Sequence, residues 1–567
     1  MMNRLIECVP NFSEGRDSEK IDKIVAQMAK VPGVTILDVD PGSDTNRTVV
    51  TIVGDPESIE EAAFKGIKCA SEILDMRQHT GTHPRMGATD VCPFIPISGV
   101  TVEECINISK RVGARVGKEL NIPIYLYEKS AQKPERKKLP NIRKGEYEGL
   151  ADKLLNDEWS PDYGPKTVHE KAGATVIGCR EFLIALNINL NTKDHRLATD
   201  IAFELREAGR SKRIPNPNSK NLLDGEIIRH DDGSPVNIPG MFKDVKGIGW
   251  YVDTFNRAQI SINFNNYKVS TIHDVFDAAC QLAKERGVRV TGSELVGLIP
   301  LKAMLMAGKH YLKKQNRSMG VPTNDIIECA VQSLGLNDVT PFVPNEKIID
   351  FAVKRSKRPL ISLTNEDFLN ECSTNSPAPG GGSVAAMAGS LGASLASMVA
   401  ALTHEKKDML DIKPEMDIIG IEAQLLKDQL AFLVDEDTEA FNQVMSANRL
   451  PSSNENEKIK KSQSVELANQ YAIDVPMETA ELCFKVLKLA NQLVDNGNPN
   501  SVSDAGVAGE LALAGVRGAC MNVLINLPSV DDLKYKNEKK EAVEKLKKDA
   551  EQLHAIIHQQ TNEKIEE

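Results

Sequence analysis

Two stretches of this chain hold side chains suited to moving protons. The first runs Arg77-Gln78-His79-Thr80-Gly81-Thr82-His83-Pro84-Arg85-Met86-Gly87-Ala88-Thr89-Asp90, with two histidines, two arginines and two glycines. Imidazole is the side chain best matched to accept and return a proton near neutral pH. Loops on a rigid frame are where chemistry concentrates. His79 and His83 are four apart, the spacing of a metal pair on a helix. Gly81 and Pro84 spoil a regular helix there and no HExxH pattern is present, so no metal is expected. Spacing alone leaves a turn or surface role open for both histidines. The connection from Asp38 to Arg47 adds Asp40. Asp40 could orient a histidine, as carboxylates do in triads, or serve as an ordinary turn carboxylate.

The second stretch is helical. Stepping about 100° per residue from 417 to 444 sets Ile419, Ala423, Leu426, Leu430, Leu433, Val434, Phe441 and Val444 on one face. Asp437 falls near the centre of that face, while Asp435, Glu436 and Glu439 point elsewhere. A carboxylate on a buried stripe is costly when ionised, so its pKa should rise. That suits a general acid; a buried structural acceptor is the other reading.

These side chains need a frame. Strands are expected at 5–9, 34–40, 47–53, 91–97 and 123–127, and helices at 18–30, 58–74 and 102–120. This is the split βαβ, ferredoxin-like order with an addition. The order returns with strands at 181–190, 245–253, 259–264 and 288–290 and helices at 194–208 and 272–286. Between them, 211–239 is rich in Pro, Asn, Asp and Gly and reads as an inserted surface loop. Beyond 363 the helical period dominates. The fold class is therefore α/β plus all-α: two ferredoxin-like-order subdomains at 1–182 and 183–353, a linker at 354–362, and a helical domain at 363–567.

Bulk properties narrow the function. A chain of 567 residues makes about three to four compact units. A net charge of −11 argues against a nucleic-acid partner. The clusters Lys133, Arg136, Lys137, Lys138 and Lys354, Arg355, Lys357, Arg358 read as solvated linker charge. Ten cysteines without a CxxC pair point to a reducing, cytoplasmic setting. The N-terminus leads into a short strand rather than a signal peptide. Gly382 to Leu402 carries no charge, but its Ala, Gly and Ser content suits a packed core helix better than a membrane span. His554 and His558, without a third ligand in view, read as surface residues.

Several segments carry a family resemblance. Glu7-Cys8-Val9-Pro10-Asn11-Phe12-Ser13-Glu14-Gly15, Asp44-Thr45-Asn46-Arg47-Thr48, His83-Pro84-Arg85-Met86-Gly87, Asp90-Val91-Cys92-Pro93-Phe94 and Phe182 to Leu190 resemble the formimidoyltransferase-cyclodeaminase family, in a bacterial form. Val434-Asp435-Glu436-Asp437-Thr438-Glu439-Ala440-Phe441 resembles its cyclodeaminase active-site stretch, and Asn498 to Ala505 is similar to the family too. The resemblance runs nearly end to end.

The resemblance implies roles. The catalytic histidine falls on His83 and the cyclodeaminase proton donor on Asp437. The folate-binding loop falls on Gly164, Pro165, Lys166, Thr167, Val168, His169, Glu170, Lys171, Ala172 and Gly173, with an interior that departs from the mammalian form. Arg85 or Arg47 could hold a substrate carboxylate or form a structural ion pair. Pro377 to Ser383 precedes the small-residue helix. Gly381 and Ser383 at its start could bind an anion or a pterin edge, or form a tight turn for close packing. Asp504 could touch the pterin, but a helix cap is favoured.

The implied activity belongs to histidine degradation. A formimidoyl group passes from N-formimidoyl-L-glutamate to tetrahydrofolate, expected as a polyglutamylated co-substrate. Ring closure then gives 5,10-methenyltetrahydrofolate and ammonia. The family also implies a homo-oligomer. Two rivals stand beside this: a glutamate formyltransferase fused to a methenyltetrahydrofolate cyclohydrolase, and a non-catalytic folate-binding scaffold.

Overall fold

The computed structural model describes residues 4–43, 45–81, 83–219, 221–352 and 359–566. The basic run at 354–358, Asp44 and Thr82 lie outside the described residues, as does most of the expected linker. The chain divides into two compact units. One comprises Met1–Ala307 with Val331–Lys354, the other Gly308–Ala330 with Arg355–Glu567.

The first unit opens with β1 (Leu5–Cys8), β2 (Asn11–Phe12), α1 (Ser18–Ala29), β3 (Val34–Gly42), β4 (Arg47–Gly54), α2 (Pro56–Ile73), β5 (Thr89–Ser98), α3 (Val102–Glu119) and β6 (Ile124–Glu128). The short helices α4 (Leu139–Arg143) and α5 (Leu150–Leu155) precede β7 (Thr175–Cys179). The chain segment β1–β2 lies between β4 and β5, with β3 outside β4; this is the ferredoxin-like order. The addition extends the sheet, because β7 inserts parallel between β5 and β6. Local signals set the helix starts. Asp55 caps α2 through Ser58 N–H with Pro56 following it, and Thr101 and Glu104 form a capping box on α3. Ile24, Met28, Ile59, Ile67, Ile108 and Val112 then bury one face of these helices against the sheet.

The order repeats in β8 (Ile184–Leu190), α6 (His195–Leu205), β13 (Val245–Val252), β14 (Arg257–Phe264), α7 (Ile272–Glu285) and β15 (Val290–Val296), with β8 between β14 and β15. The last strand lies at 290–296 rather than 288–290, because its pairing with β8 runs from Val290↔Leu190 to Val296↔Ala185. The insertion is more ordered than a plain loop. β9 (Arg210–Ser211) pairs with β12 (Asn237–Ile238), and β10 (Arg213–Ile214) with β11 (Glu226–Ile227). It is pinned by Arg210, which pairs with the buried Asp200 and with Glu204 on α6.

One member of the first basic cluster is not solvated, although Lys137 and Lys138 are exposed. Arg136 is almost fully buried, paired with Asp162 at 2.8 Å and donating to the carbonyls of Glu158 and Ser160. Its guanidinium also faces the rings of Tyr125 and Trp159. A planar five-donor group can satisfy itself this way in an interior where a lysine could not.

After α8 (Leu301–Lys314), α9 (Thr323–Leu334) and the single turns α10 (Pro344–Lys347) and α11 (Ile349–Ala352) come α12 (Asn365–Cys372), α13 (Gly381–Glu405), α14 (Lys413–Asn448), α15 (Glu455–Asn496), α16 (Val502–Asn526) and α17 (Leu533–Glu566). α13 and the segment Pro499–Ser529 are long and apolar enough to cross a membrane. In the helical unit α13 instead packs on α14, α15 and α16, burying Ala386, Gly389, Ala393, Ala396 and Ala400. Small side chains let the helix axes approach closely, which explains a charge-free helix with few large aliphatics.

Candidate active sites

The loop from α2 to β5 is held from several sides. Asn46 sits in the left-handed region at φ 48°, accepts from Gly15 N–H at 3.0 Å and donates to Thr80 O at 2.9 Å. Arg85 Nε donates to His79 Nδ1 at 3.2 Å, which places the His79 proton on Nε2; that atom donates to Asn46 O at 2.8 Å. Arg85 also pairs with Glu146 at 2.8 Å and Glu148 at 2.7 Å. It is therefore a structural ion pair, with no free fork for a substrate. Asp90 is buried, accepts from Met86 N–H and pairs with Arg143.

The proposed folate loop folds back on the same segment. Ala88 N–H donates to Ala172 O, Ala174 N–H to Met86 O and Met76 N–H to Lys171 O. Gly87 is required by this approach, since a Cβ there would lie 2.3 Å from Ala174 O. Gly164 and Gly173 both take positive φ at the ends of the loop. Between them Lys166, Thr167, Glu170 and Lys171 are exposed, and Pro165, Val168 and His169 are half-buried. An open hollow of about 490 Å³ is lined by Pro165, Thr167, Val168, His169 and Glu170. His83 is not in its lining. The structure brings the loop's backbone, and not this hollow, to the histidine segment.

His83 itself meets Arg47, with 2.7 Å between Nη1 and Nε2. A guanidinium only donates, so the ring is neutral, accepts at Nε2 and carries its proton on Nδ1. Burial, then the charges of Arg47 and Arg143, push the His83 pKa down to about 4. Among the described residues, His83 Nδ1 and Arg47 Nε are buried without hydrogen-bond partners. Asp40 does not orient the histidine: it is exposed on β3, and Arg47 occupies the ring nitrogen instead.

The second site lies at the start of α13. Asp437 Oδ2 accepts from Ser383 N–H at 2.8 Å and from Ser383 Oγ–H at 3.1 Å. Burial raises the Asp437 pKa above the ordinary carboxylate range, and the two Ser383 donors partly offset this. A Cβ on Gly382 would fall 2.0 Å from Asp437 Oδ1, so glycine is what lets the carboxylate reach the helix start. Thus Asp437 already occupies the helix start where Gly381 and Ser383 could have bound an anion, and the turn lets the two helices approach closely.

The apolar stripe on α14 buries Ile419, Ala423, Leu426, Leu430, Leu433 and Val434, but Phe441 and Val444 are only half-buried. Asp437 keeps its place on this face of α14, and beyond it Ala440 and Ala447 are buried. Its neighbours have other work. Asp435 accepts from Leu360 and Ile361 N–H, Glu436 accepts from Tyr471 O–H, and Glu439 is exposed. Asp504 lies in the first turn of α16 with Ser501 at the N-cap position, so it is not the cap residue. Its placement there still complements the helix dipole.

Sequence reading missed Arg143, Glu146 and Glu148. They sit in short helices and turns after β6, far along the chain from the loop they clamp, and nothing in their local spacing signals it.

Family models described as "Formiminotransferase domain, N-terminal subdomain", "Formiminotransferase domain" and "Formiminotransferase-cyclodeaminase" match residues 5–180, 185–354 and 364–545. The rat formimidoyltransferase-cyclodeaminase is 40% identical over 559 residues, 98% of each chain. A glutamate formimidoyltransferase of Streptococcus pyogenes is 42% identical, over 56% of this chain and 95% of its own. A methenyltetrahydrofolate cyclohydrolase of Methylorubrum extorquens is 35% identical over 36% of this chain and 97% of its own.

Proposed function

The chain belongs to the formimidoyltransferase-cyclodeaminase family, and from that premise we propose that His83 and Asp437 carry its two half-reactions. It is a bifunctional enzyme, a glutamate formimidoyltransferase joined to a cyclodeaminase, with tetrahydrofolate as co-substrate. The transferase spans 1–182 and 183–353, and the helical catalyst 363–567.

In the first step N5 of tetrahydrofolate attacks the formimidoyl carbon of N-formimidoyl-L-glutamate. The C=N electron pair moves onto the imino nitrogen and returns to re-form C=N as the bond from carbon to the glutamate nitrogen breaks. N5 must lose a proton, and the glutamate nitrogen must gain one before its bond to carbon breaks. A neutral His83 takes the first proton and returns it to the departing amine. Arg47 holds a donor carboxylate, since Arg85 and Arg143 are already spent on acidic partners. The segment Gly164–Gly173 contributes the folate contacts.

In the second step N10 attacks the same carbon and closes a five-membered ring. N10 gives up its proton, ammonia leaves with the electrons of its bond to carbon, and the methenyl cation remains. Ammonia leaves only when protonated, and a neutral Asp437 carboxyl supplies the proton. Both steps are proton transfers around an amidine carbon and are drawn here without a metal.

The observation that carries this reading is the opposite direction of the two shifts: the histidine has its pKa pushed down to about 4 and the aspartate has its pKa pushed up, so burial favours the neutral form of each. Purified protein given formimidoylglutamate and tetrahydrofolate should release ammonia and form the methenyl product. H83N should stop transfer but still process supplied 5-formimidoyltetrahydrofolate, and D437N should do the reverse. Release without ammonia would favour the formyl and cyclohydrolase pair, a reading supported by the likeness of the helical unit to a cyclohydrolase. Survival of both half-reactions in both variants would favour a folate-binding scaffold.

The setting is proposed as cytoplasmic, in keeping with ten free cysteines. A homo-oligomer is proposed because α16 leaves Met521, Leu524 and Ile525 exposed. Light scattering on the purified chain checks it. The co-substrate is proposed to be polyglutamylated, which a comparison of KM for mono- and polyglutamyl folates tests.

A further inference from the structure

We propose that Arg47 is a removable cap on the transferase base, withdrawn from His83 by the carboxylate of the incoming donor. The proposal rests on His83 being that base.

Three arginines surround the loop. Arg85 is held by Glu146 and Glu148, and Arg143 by Asp90. Arg47 forms no ion pair with a carboxylate among the described residues. Its Nη1 is spent on the lone pair of His83 Nε2 at 2.7 Å, and its buried Nε has no acceptor among the described residues. A guanidinium bound to a neutral ring nitrogen has a weaker partner than a carboxylate, which adds charge and a second oxygen. A carboxylate arriving nearby therefore offers Arg47 a better bond and an acceptor for its orphaned Nε–H.

The ring has one usable nitrogen. Nδ1 is buried and carries the proton, so only Nε2 can accept from N5 of the folate. In the structure Arg47 covers that atom. The base is thus closed while the loop is empty and opens when the glutamate portion of the donor draws the guanidinium away. Arg47 is then more than a carboxylate clamp: it makes proton transfer conditional on an anionic donor.

The test divides the donor in two. Formamidine holds the same amidine carbon without carboxylates. With it N5 still attacks, His83 still takes the N5 proton, and ammonia leaves in place of glutamate carrying that proton. Glutarate supplies the two carboxylates without the amidine.

With the full-length wild type, formamidine alone should give slow transfer, and adding glutarate should raise the rate about tenfold or more. R47M should use formamidine about tenfold faster than wild type, ignore glutarate, and lose most of its activity toward formimidoylglutamate. A merely structural Arg47 would lower the rate with both donors. Equal formamidine rates in wild type and R47M, with glutarate acting only as an inhibitor, would overturn the cap. The wild-type glutarate response needs no variant, so a misfolded R47M does not leave the proposal standing. H83N separates the two levels of the argument. If it is inactive with both donors the base assignment holds whatever Arg47 does, and if it stays active that assignment falls first.

Discussion

The loop site around His83 and the helical site around Asp437 are tuned by the same force with opposite outcomes. Removal from water penalises whichever form is charged. It pushes the histidine pKa down, toward the neutral base, and the aspartate pKa up, toward the neutral acid. The neighbours then differ. At His83 the cations Arg47 and Arg143 add to the effect of burial. At Asp437 the two Ser383 donors act against it, because they stabilise the carboxylate. The lesson is that the surroundings of the base add to the effect of burial, whereas those of the acid work against it.

The largest expected effects come from removing the two groups. A positioned acid or base is worth about a hundred- to ten-thousandfold in rate. H83N should cost that much in transfer and D437N that much in cyclodeamination, each leaving the other half-reaction intact. Separate assays with formimidoylglutamate and with 5-formimidoyltetrahydrofolate check this. A variant that damaged both rates would break the comparison, because the two sites would not be independent.

The next effect tests the geometry of the acid alone. In G382A the new methyl would overlap Asp437 Oδ1, at 2.0 Å. Either the carboxyl turns away from Ser383 or α13 shifts. Overpacking of this kind costs about 1–3 kcal/mol in stability. Cyclodeamination should fall about ten- to a hundredfold while transfer holds, since misplacement by an ångström can cost that much. Thermal melting and the two assays together separate loss of fold from loss of geometry.

Why one site was easier to read than the other follows from the distance over which each is built. Asp437 was legible because an α-helix repeats locally, so its face could be found from residues a few turns away. Its partner Ser383 was not legible, since sequence does not say where α13 starts against α14. His83 was found, but its electrostatics were not. Arg47 lies 36 residues from it, and Glu146 and Glu148 lie 61 and 63 residues from Arg85. No local period encodes such pairings. The ferredoxin-like order was legible because each helix carries its own apolar stripe and caps. β7 was not, because its identity depends on parallel pairing with β5 and β6, far apart in the chain. Arg136 was misread as solvated because its acceptors, Glu158 O, Ser160 O and Asp162, are supplied by tertiary structure.

The pH dependences should contrast as well. His83 accepts a proton only when neutral, so transfer should be flat through neutrality and fall as pH drops toward about 4. Asp437 donates only when protonated, so cyclodeamination should fall as pH rises through its raised pKa. Profiles of kcat/KM for the isolated half-reactions show both limbs. An alkaline limb in transfer that vanishes with R47M would instead assign the limiting titration to the cap.

The smallest effect sharpens the contrast most. S383A removes the hydroxyl donor at 3.1 Å and keeps the backbone N–H at 2.8 Å. The lost bond favoured the ionised carboxylate, so the Asp437 pKa should rise further. The alkaline limb of cyclodeamination should therefore move to higher pH, by about half a unit for one weak hydrogen bond of roughly 0.5–1 kcal/mol. Maximal rate at low pH should change little, because the acid is already protonated there. A limb that moves to lower pH would mean that Ser383 supports the neutral form. The two sites would then resemble each other, each surrounded by groups that reinforce burial, and the opposition drawn between them would be gone.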